Sequence, residues 1–232
     1  LRYILNFIQI KFDLNLKNCF KNSKLIISRS NETKNFINKF VKEKKILTLP
    51  EIITDKSYRK KIKKNKTTNF LFAGRHLYWK GGNLIIDAFN DALKKNKNIK
   101  LNFVGEGPDK DYWASLMNRY KINRYVSFHS WQSFNKMKQF YKKNDVFIFP
   151  SYHDSGGTVI NEAISFSLPI ICLNLGGPGL KIDKSNGFSI NVKSKNMDRR
   201  AVVNKLTKKI LQLSNNNNLV SSLSNGSYIK SK

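Results

Sequence analysis

Two carboxylates and two cations stand where they could hold an anionic ligand. Asp154 and Glu162 lie in PSYHDSGGTVINEAISFSLP, residues 150–169, where Gly156 and Gly157 precede the apolar run that carries Glu162. Paired glycines at a helix start let a ligand approach the backbone, and the first amides of the helix favour an anion such as a diphosphate. Thr158 and Glu162 are four residues apart, so they share one helix face. Helical side chains lean toward the N-terminus, so Glu162 can point back at whatever the glycines hold. Asp154, on the preceding loop, converges on the same place. Arg75 and Lys80 lie in AGRHLYWKGG, residues 73–82, just after Gly74 at a strand end. Two cations there can neutralise a diphosphate that helix amides alone would not. GEGP, residues 105–108, is not a dinucleotide fingerprint, because Lys110 stands where the third glycine belongs, and no phosphate-binding GxxxxGK[ST] occurs. His153 is placed to contact a ligand beside Asp154, whereas His76 and His129 read as packing or loop-capping residues. Cys19 and Cys172 lie far apart with no metal-ligand spacing, and no metal is expected.

These residues need a scaffold, and the hydrophobic pattern supplies one. Short apolar runs at 69–74, 100–105, 125–130, 145–151 and 169–175 read as strands. Amphipathic segments at 81–95, 109–120, 133–144, 157–167 and 197–214 read as helices between and after them. Strict alternation of this kind predicts βαβ units: an α/β fold with a Rossmann-like parallel sheet and helices on both faces. Ligands of such sheets bind outside the carboxyl ends of the strands. That rule points to the loops after Ala73, Val104, Phe128, Phe149 and Leu173, two of which carry the residues above. Upstream, residues 1–20 read as an amphipathic helix through Leu1, Ile4, Leu5 and Ile8, and 24–30 as a strand. Residues 31–41 read as a helix with Phe36, Ile37 and Phe40 on one face, and 46–50 as a further strand. The run 56–66 is strongly basic and reads as a linker, and 215–232 as a polar, weakly ordered tail. The nucleotide-sized domain is thus expected over 67–196, followed by the helix at 197–214.

Composition narrows the class. The 232 residues carry 43 Lys and Arg against 15 Asp and Glu, a net charge of +28. With 40% hydrophobic and 12% aromatic residues, the chain can bury a core and is no disordered polycation. The cations are 35 Lys and only 8 Arg, alongside 29 Asn. Lys and Asn share AT-rich codons, so a biased genome accounts for much of the excess. Arg is the usual base reader, and no zinc-finger, RNP-like or helix-turn-helix pattern occurs, so no nucleic acid is expected as a partner. An anionic membrane surface fits the charge better, at about 1 kcal/mol per basic residue. No apolar stretch of about 18 residues exists to span a membrane. The expected location is cytoplasmic, peripheral at the inner face of the cell membrane.

The segments GRHLYWKGGNLIIDAF, FVGEGP and DVFIFPSYHDSGGTVINEAISFSLPIICLNLGGPG resemble the C-terminal half of GT-B glycosyltransferase family 4, the group 1 glycosyltransferases. The resemblance covers roughly residues 24–213, and its most specific part is the pair of carboxylates separated by seven residues, Asp154 and Glu162. It implies that Arg75 and Lys80 bind the diphosphate of a UDP-, GDP- or ADP-sugar donor, with catalytic weight on Asp154, Arg75 and Lys80. Glu162 would bond the ribose and Asp154 face the sugar. Gly156, Gly157 and Thr158 would lend backbone to the phosphates, and Ser130 and Trp131 would border the base. Gly74 and His153 complete the donor contacts. Residues 1–55 would be the remnant of an N-terminal acceptor-binding domain. The implied reaction is retaining sugar transfer to a glycan or lipid-linked acceptor in bacterial surface polysaccharide synthesis, without a cofactor. Departures from the pattern are Asp154 where Glu is usual, Ser155-Gly156-Gly157 where Gly-Phe-Gly is usual, and Ser167 where Gly often stands. Two other readings remain: a GT-B sugar-nucleotide epimerase, and a non-enzymatic basic module for nucleic acid or membrane.

Overall fold

The computed structural model describes residues 12–28, 31–39, 41, 45–49, 58–59, 67–154, 156–192 and 198–232. Six strands make the main sheet: β3 (Thr68–Ala73), β4 (Ile99–Val104), β5 (Val126–His129), β6 (Val146–Phe149), β7 (Ile170–Leu173) and β8 (Gly187–Ile190). All pair in parallel, in the order β5-β4-β3-β6-β7-β8. Parallel strands covered on both faces must be apolar almost throughout. Phe70 to Ala73, Val146 to Phe149 and Ile170 to Leu173 meet that demand and are buried.

The strand order decides where a ligand goes. The chain builds β3, β4 and β5 outward on one side, then crosses back to lay β6, β7 and β8 on the other. The loops leaving β3 and β6 therefore diverge to opposite faces and open a crevice between them, at the topological switch point. Arg75 and Lys80 follow β3, and Asp154, Gly156 and Gly157 follow β6.

The helices are α3 (Gly82–Leu93), α4 (Lys110–Arg119), α5 (Phe134–Lys143), α6 (Thr158–Ser165), α7 (Gly176–Leu180), α8 (Arg199–Ser214) and α9 (Asn217–Lys230). A glycine opens α3 because Trp113 of α4 sits on it: a Cβ at Gly82 would lie 2.4 Å from the indole. Trp113 in turn packs in an aromatic core with Phe72 and Phe103.

Upstream, α1 (Leu14–Asn22) begins at its cap Asp13, so the helix expected over 1–20 is interrupted there, and Leu1, Ile4, Leu5 and Ile8 lie outside the described residues. Strands β1 (Ile26–Ser28) and β2 (Ile46–Thr48) pair in parallel beside α2 (Asn31–Ile37). Their small core is Ile26, Ile37 and Ile46, with Phe20 and Val41 against it; Phe40 lies outside the described residues.

One expectation at the C-terminus is corrected. The segment 215–232 is not a weakly ordered tail but helix α9, with Val220 and Leu223 buried. Its serines are used: Ser224 and Ser227 donate their hydroxyls to the carbonyls of Ser167 and Leu168, each at 2.7 Å. Those carbonyls follow a turn in which Ser167 is left-handed, with φ at 59°, so intrahelical partners are gone. The helix expected over 197–214 is observed as α8, which buries Val202, Val203, Leu206, Ile210 and Leu213 and lies along α3. Strand β8, absent from the sequence pattern, closes the sheet edge. Of the basic run 56–66, only Tyr58 and Arg59 are described, and they dock on the domain: the Tyr58 amide donates to Ser165 at 2.7 Å.

Candidate functional site

A cavity of about 820 Å³ lies along the carboxyl ends of β3 and β4, walled by α5 and α6. Ala73, Gly74, Arg75, Gly105, Trp131 and Glu162 are among its lining residues. The glycines allow the two strand ends to close up: a Cβ on Gly105, whose φ is 133°, would lie 2.1 Å from the carbonyl oxygen of Gly74. Arg75 is exposed at the cavity and has no ion-pair partner among the described residues. Trp131 is 73% exposed, which leaves its face open to a flat ligand. Glu162 is half-buried and accepts a hydrogen bond of 2.7 Å from the hydroxyl of Tyr141, on α5.

Beside this cavity, a second group of the expected residues is gathered into one corner. The short 3-10 turn Tyr78–Lys80 is stitched to the loop after β6, because the Tyr152 amide and the Ser151 hydroxyl both donate to the Trp79 carbonyl, at 2.7 and 3.1 Å. That seam brings the Lys80 ammonium to 2.5 Å from Asp154 Oδ2. The other carboxylate oxygen, Oδ1, accepts from the amides of Gly156 at 3.3 Å and Gly157 at 2.8 Å. Gly157 is the left-handed residue before α6, with φ at 65°. From behind, Lys181 donates to the Gly156 carbonyl at 2.6 Å and the Gly177 amide to the Asp154 carbonyl at 3.1 Å. Asp154 is only 15% exposed, so the pair with Lys80 is partly withdrawn from water.

The structure therefore brings together what lay 74 residues apart, but in an arrangement sequence reading did not anticipate. Lys80 and the Gly156–Gly157 amides, expected on a diphosphate, are engaged by Asp154 itself. Of the other expected contacts, Gly74 lines the cavity, whereas Ser130, His153 and Thr158 are exposed and do not. Ser155 lies outside the described residues. Sequence reading also missed Tyr141, Met137, Gln132 and Glu106, all on the cavity wall.

His76 packs, as expected. It is fully buried between Trp113, at 4.8 Å between ring centroids, and Phe128, and neither ring nitrogen has a hydrogen-bond partner. Burial, with some help from Lys110, lowers its pKa to about 4. His129 meets Phe140 edge-on, with ring centroids 4.8 Å apart, and bonds Asn102 at 3.1 Å. Among the described residues no three of His, Cys, Asp and Glu are gathered as metal ligands. An Asp-x-Asp spacing, Asp109 to Asp111, does occur, but Asp109 accepts from the Tyr78 amide at 2.7 Å and neither aspartate lines the cavity. Among the described residues no helix is long and apolar enough to cross a membrane.

The chain is similar to known proteins. The family model for "Glycosyl transferases group 1" matches residues 54–228. An uncharacterized glycosyltransferase of Methanocaldococcus jannaschii, MJ1607, is 32% identical over 128 residues, covering 55% of this chain and 32% of its own length. The GtfA subunit of a UDP-N-acetylglucosamine–peptide N-acetylglucosaminyltransferase of Streptococcus agalactiae is 25% identical over 185 residues, covering 77% of this chain and 36% of its own. The crystal structure of the pneumococcal O-GlcNAc transferase GtfA with UDP and GlcNAc superimposes with a TM-score of 0.77 at 18% identity, over 95% of this chain and 44% of the other. The chain thus spans about a third to under half of the length of these relatives.

Proposed function

The chain belongs to the group 1 glycosyl transferases, and from that premise we propose that it holds the nucleotide-sugar donor of a glycosyltransferase with a GT-B fold. The observation that carries the reading is the placement of Arg75 and Glu162 on one cavity at the switch point, with Lys80 and Asp154 beside it. Trp131 offers an open aromatic face for the base. Glu162, an acceptor, suits ribose hydroxyls. Arg75 suits the diphosphate, and Lys80 joins it once released from Asp154. As the sugar–phosphate bond breaks, negative charge grows on the leaving diphosphate. Cations fixed in advance stabilise that charge without reorganising, and such positioned charge is often the largest catalytic contribution. In this reading Asp154 faces the developing oxocarbenium-like sugar.

The donor is a UDP-, GDP- or ADP-sugar, and no metal is needed if Arg75 and Lys80 carry the diphosphate charge. The acceptor is a glycan or a lipid-linked hydroxyl, the transfer is retaining, and the setting is bacterial surface polysaccharide synthesis at the cytoplasmic face of the membrane. Sugar transfer also needs an acceptor held against the donor, and orientation alone can supply about 7–11 kcal/mol of a barrier. The chain spans under half the length of the relatives described above, so on its own it should bind donor and transfer no sugar. A thermal-shift screen against UDP-, GDP- and ADP-sugars tests the reading. Stabilisation by one base series is expected. No stabilisation by any of them, at millimolar concentration, removes the donor site.

A further inference from the structure

We infer that Tyr141 is a positioning residue for Glu162, holding its carboxylate in place as an acceptor for a vicinal diol. The inference rests on the reading of Glu162 as the ribose contact.

Tyr141 is fully buried on α5. Its ring stacks on Phe166 with centroids 5.3 Å apart and planes 17° apart, and Phe147 stands 6.1 Å away. A phenylalanine would fill that aromatic slot equally well, so packing explains the ring and not the hydroxyl. A buried hydroxyl needs an acceptor. This one finds Oε2 of Glu162 at 2.7 Å, across the gap from α5 to α6, and both residues line the same cavity. The length suits a hydrogen bond to an ionised partner. Three consequences follow. The bond fixes the rotamer and plane of a side chain that would otherwise have several. It gives a half-buried carboxylate on the wall shared with Met137 and Val159 a fixed donor. And burial, then the Glu162 charge, raises the phenol well above its ordinary value, so Tyr141 remains a donor throughout the physiological range. An acceptor-only carboxylate with its plane held is matched to a ligand presenting two adjacent hydroxyls.

The test uses the full chain and calorimetry with UDP, GDP and ADP, the tightest binder being carried forward with its 2′-deoxy counterpart and inorganic pyrophosphate. Wild type should prefer the ribonucleotide. Tyr141→Phe should weaken it about ten-fold, narrow the ribo-to-deoxy ratio and leave pyrophosphate unchanged. In a Glu162→Gln background the same substitution should add little. If Glu162→Gln weakens the ribonucleotide while Tyr141→Phe changes neither its affinity nor the ribo-to-deoxy ratio, the inference is overturned and the donor reading stands. If Glu162→Gln has no effect, or no nucleotide binds, the ribose reading fails and takes the inference with it. Equal loss of pyrophosphate and nucleotide in Tyr141→Phe, or failure of that variant to fold, would assign the hydroxyl to stability alone and overturn it too.

Discussion

The cavity wall around Arg75 and Glu162 and the corner around Lys80 and Asp154 adjoin each other, yet they balance charge in opposite ways. Arg75 is exposed and has no ion-pair partner among the described residues, and Glu162 accepts a hydrogen bond from the Tyr141 hydroxyl. Lys80 and the two glycine amides are already satisfied by a carboxylate of the same chain. The wall can add a ligand directly. The corner can do so only by giving up a bond it has. Residue type and spacing predict both cations as equal partners of a diphosphate; the geometry makes them unequal.

The largest effect expected concerns stability, at the buried residue that follows Arg75 in the chain. His76, next to Arg75, is buried as a neutral ring, and its pKa of about 4 lies below the ordinary 6.5. A depressed folded value means that its contribution to stability is complete above about pH 6.5 and is lost as pH falls toward 4. The loss should reach roughly 2–3 kcal/mol, falling to less if Glu106 or water relieves the charged ring. Thermal unfolding between pH 7 and 4 should show a steeper fall for wild type than for His76→Gln, which cannot titrate. Parallel curves would mean that the ring finds a partner the buried site does not offer.

Next in size is Arg75→Ala, which should weaken nucleoside diphosphate binding by about 1.5–3 kcal/mol, the scale of a hydrogen bond to a charged group. Calorimetry reporting an unchanged affinity would take the wall out of the comparison. Lys80→Ala should cost less, about 1 kcal/mol, since the wild-type ammonium must first leave Asp154. A loss from Lys80→Ala larger than that from Arg75→Ala would reverse the ranking drawn here. Smallest of all is Asp154→Asn. The amide side chain holds Lys80 less firmly, so affinity for the bare diphosphate should be unchanged or tighter by under about 1 kcal/mol, while turnover in a two-domain enzyme falls. Abolished binding of the bare nucleotide would mean that Asp154 is itself a ligand contact.

How much of this was legible in the sequence follows from what each residue needs. Phe70 to Ala73 and Ile170 to Leu173 are buried on both faces, and runs so apolar announce themselves. Strand β8 does not, because at the sheet edge Phe188 and Ser189 stay half-exposed and the run looks polar. Helix α9 was hidden by serines that read as solvent-facing, although Ser224 and Ser227 are buried against carbonyls almost sixty residues away. The carboxylates and cations of the site were visible by type and by their place after strands. Their pairing was not, since Lys80 meets Asp154 only through the seam between the 3-10 turn and the loop after β6. Tyr141 was equally hidden: on an amphipathic helix a tyrosine at a core position looks like packing.

The Lys80–Asp154 contact has one more consequence, for how the protein responds to salt and concentration. If the proposed donor site holds, binding in that corner would be an exchange of anions, Asp154 releasing Lys80 as the diphosphate arrives. Apparent affinity is the intrinsic affinity scaled by the fraction of molecules in which Asp154 has already let go. Ions in solution weaken the outgoing contact as well as the incoming one, so the two screening effects partly cancel. For a chain of charge +28, an ordinary cationic patch would gather phosphates indiscriminately and release them steeply as salt rises. A corner that holds its own counter-charge in reserve would instead be selective at low salt and nearly level across the physiological range.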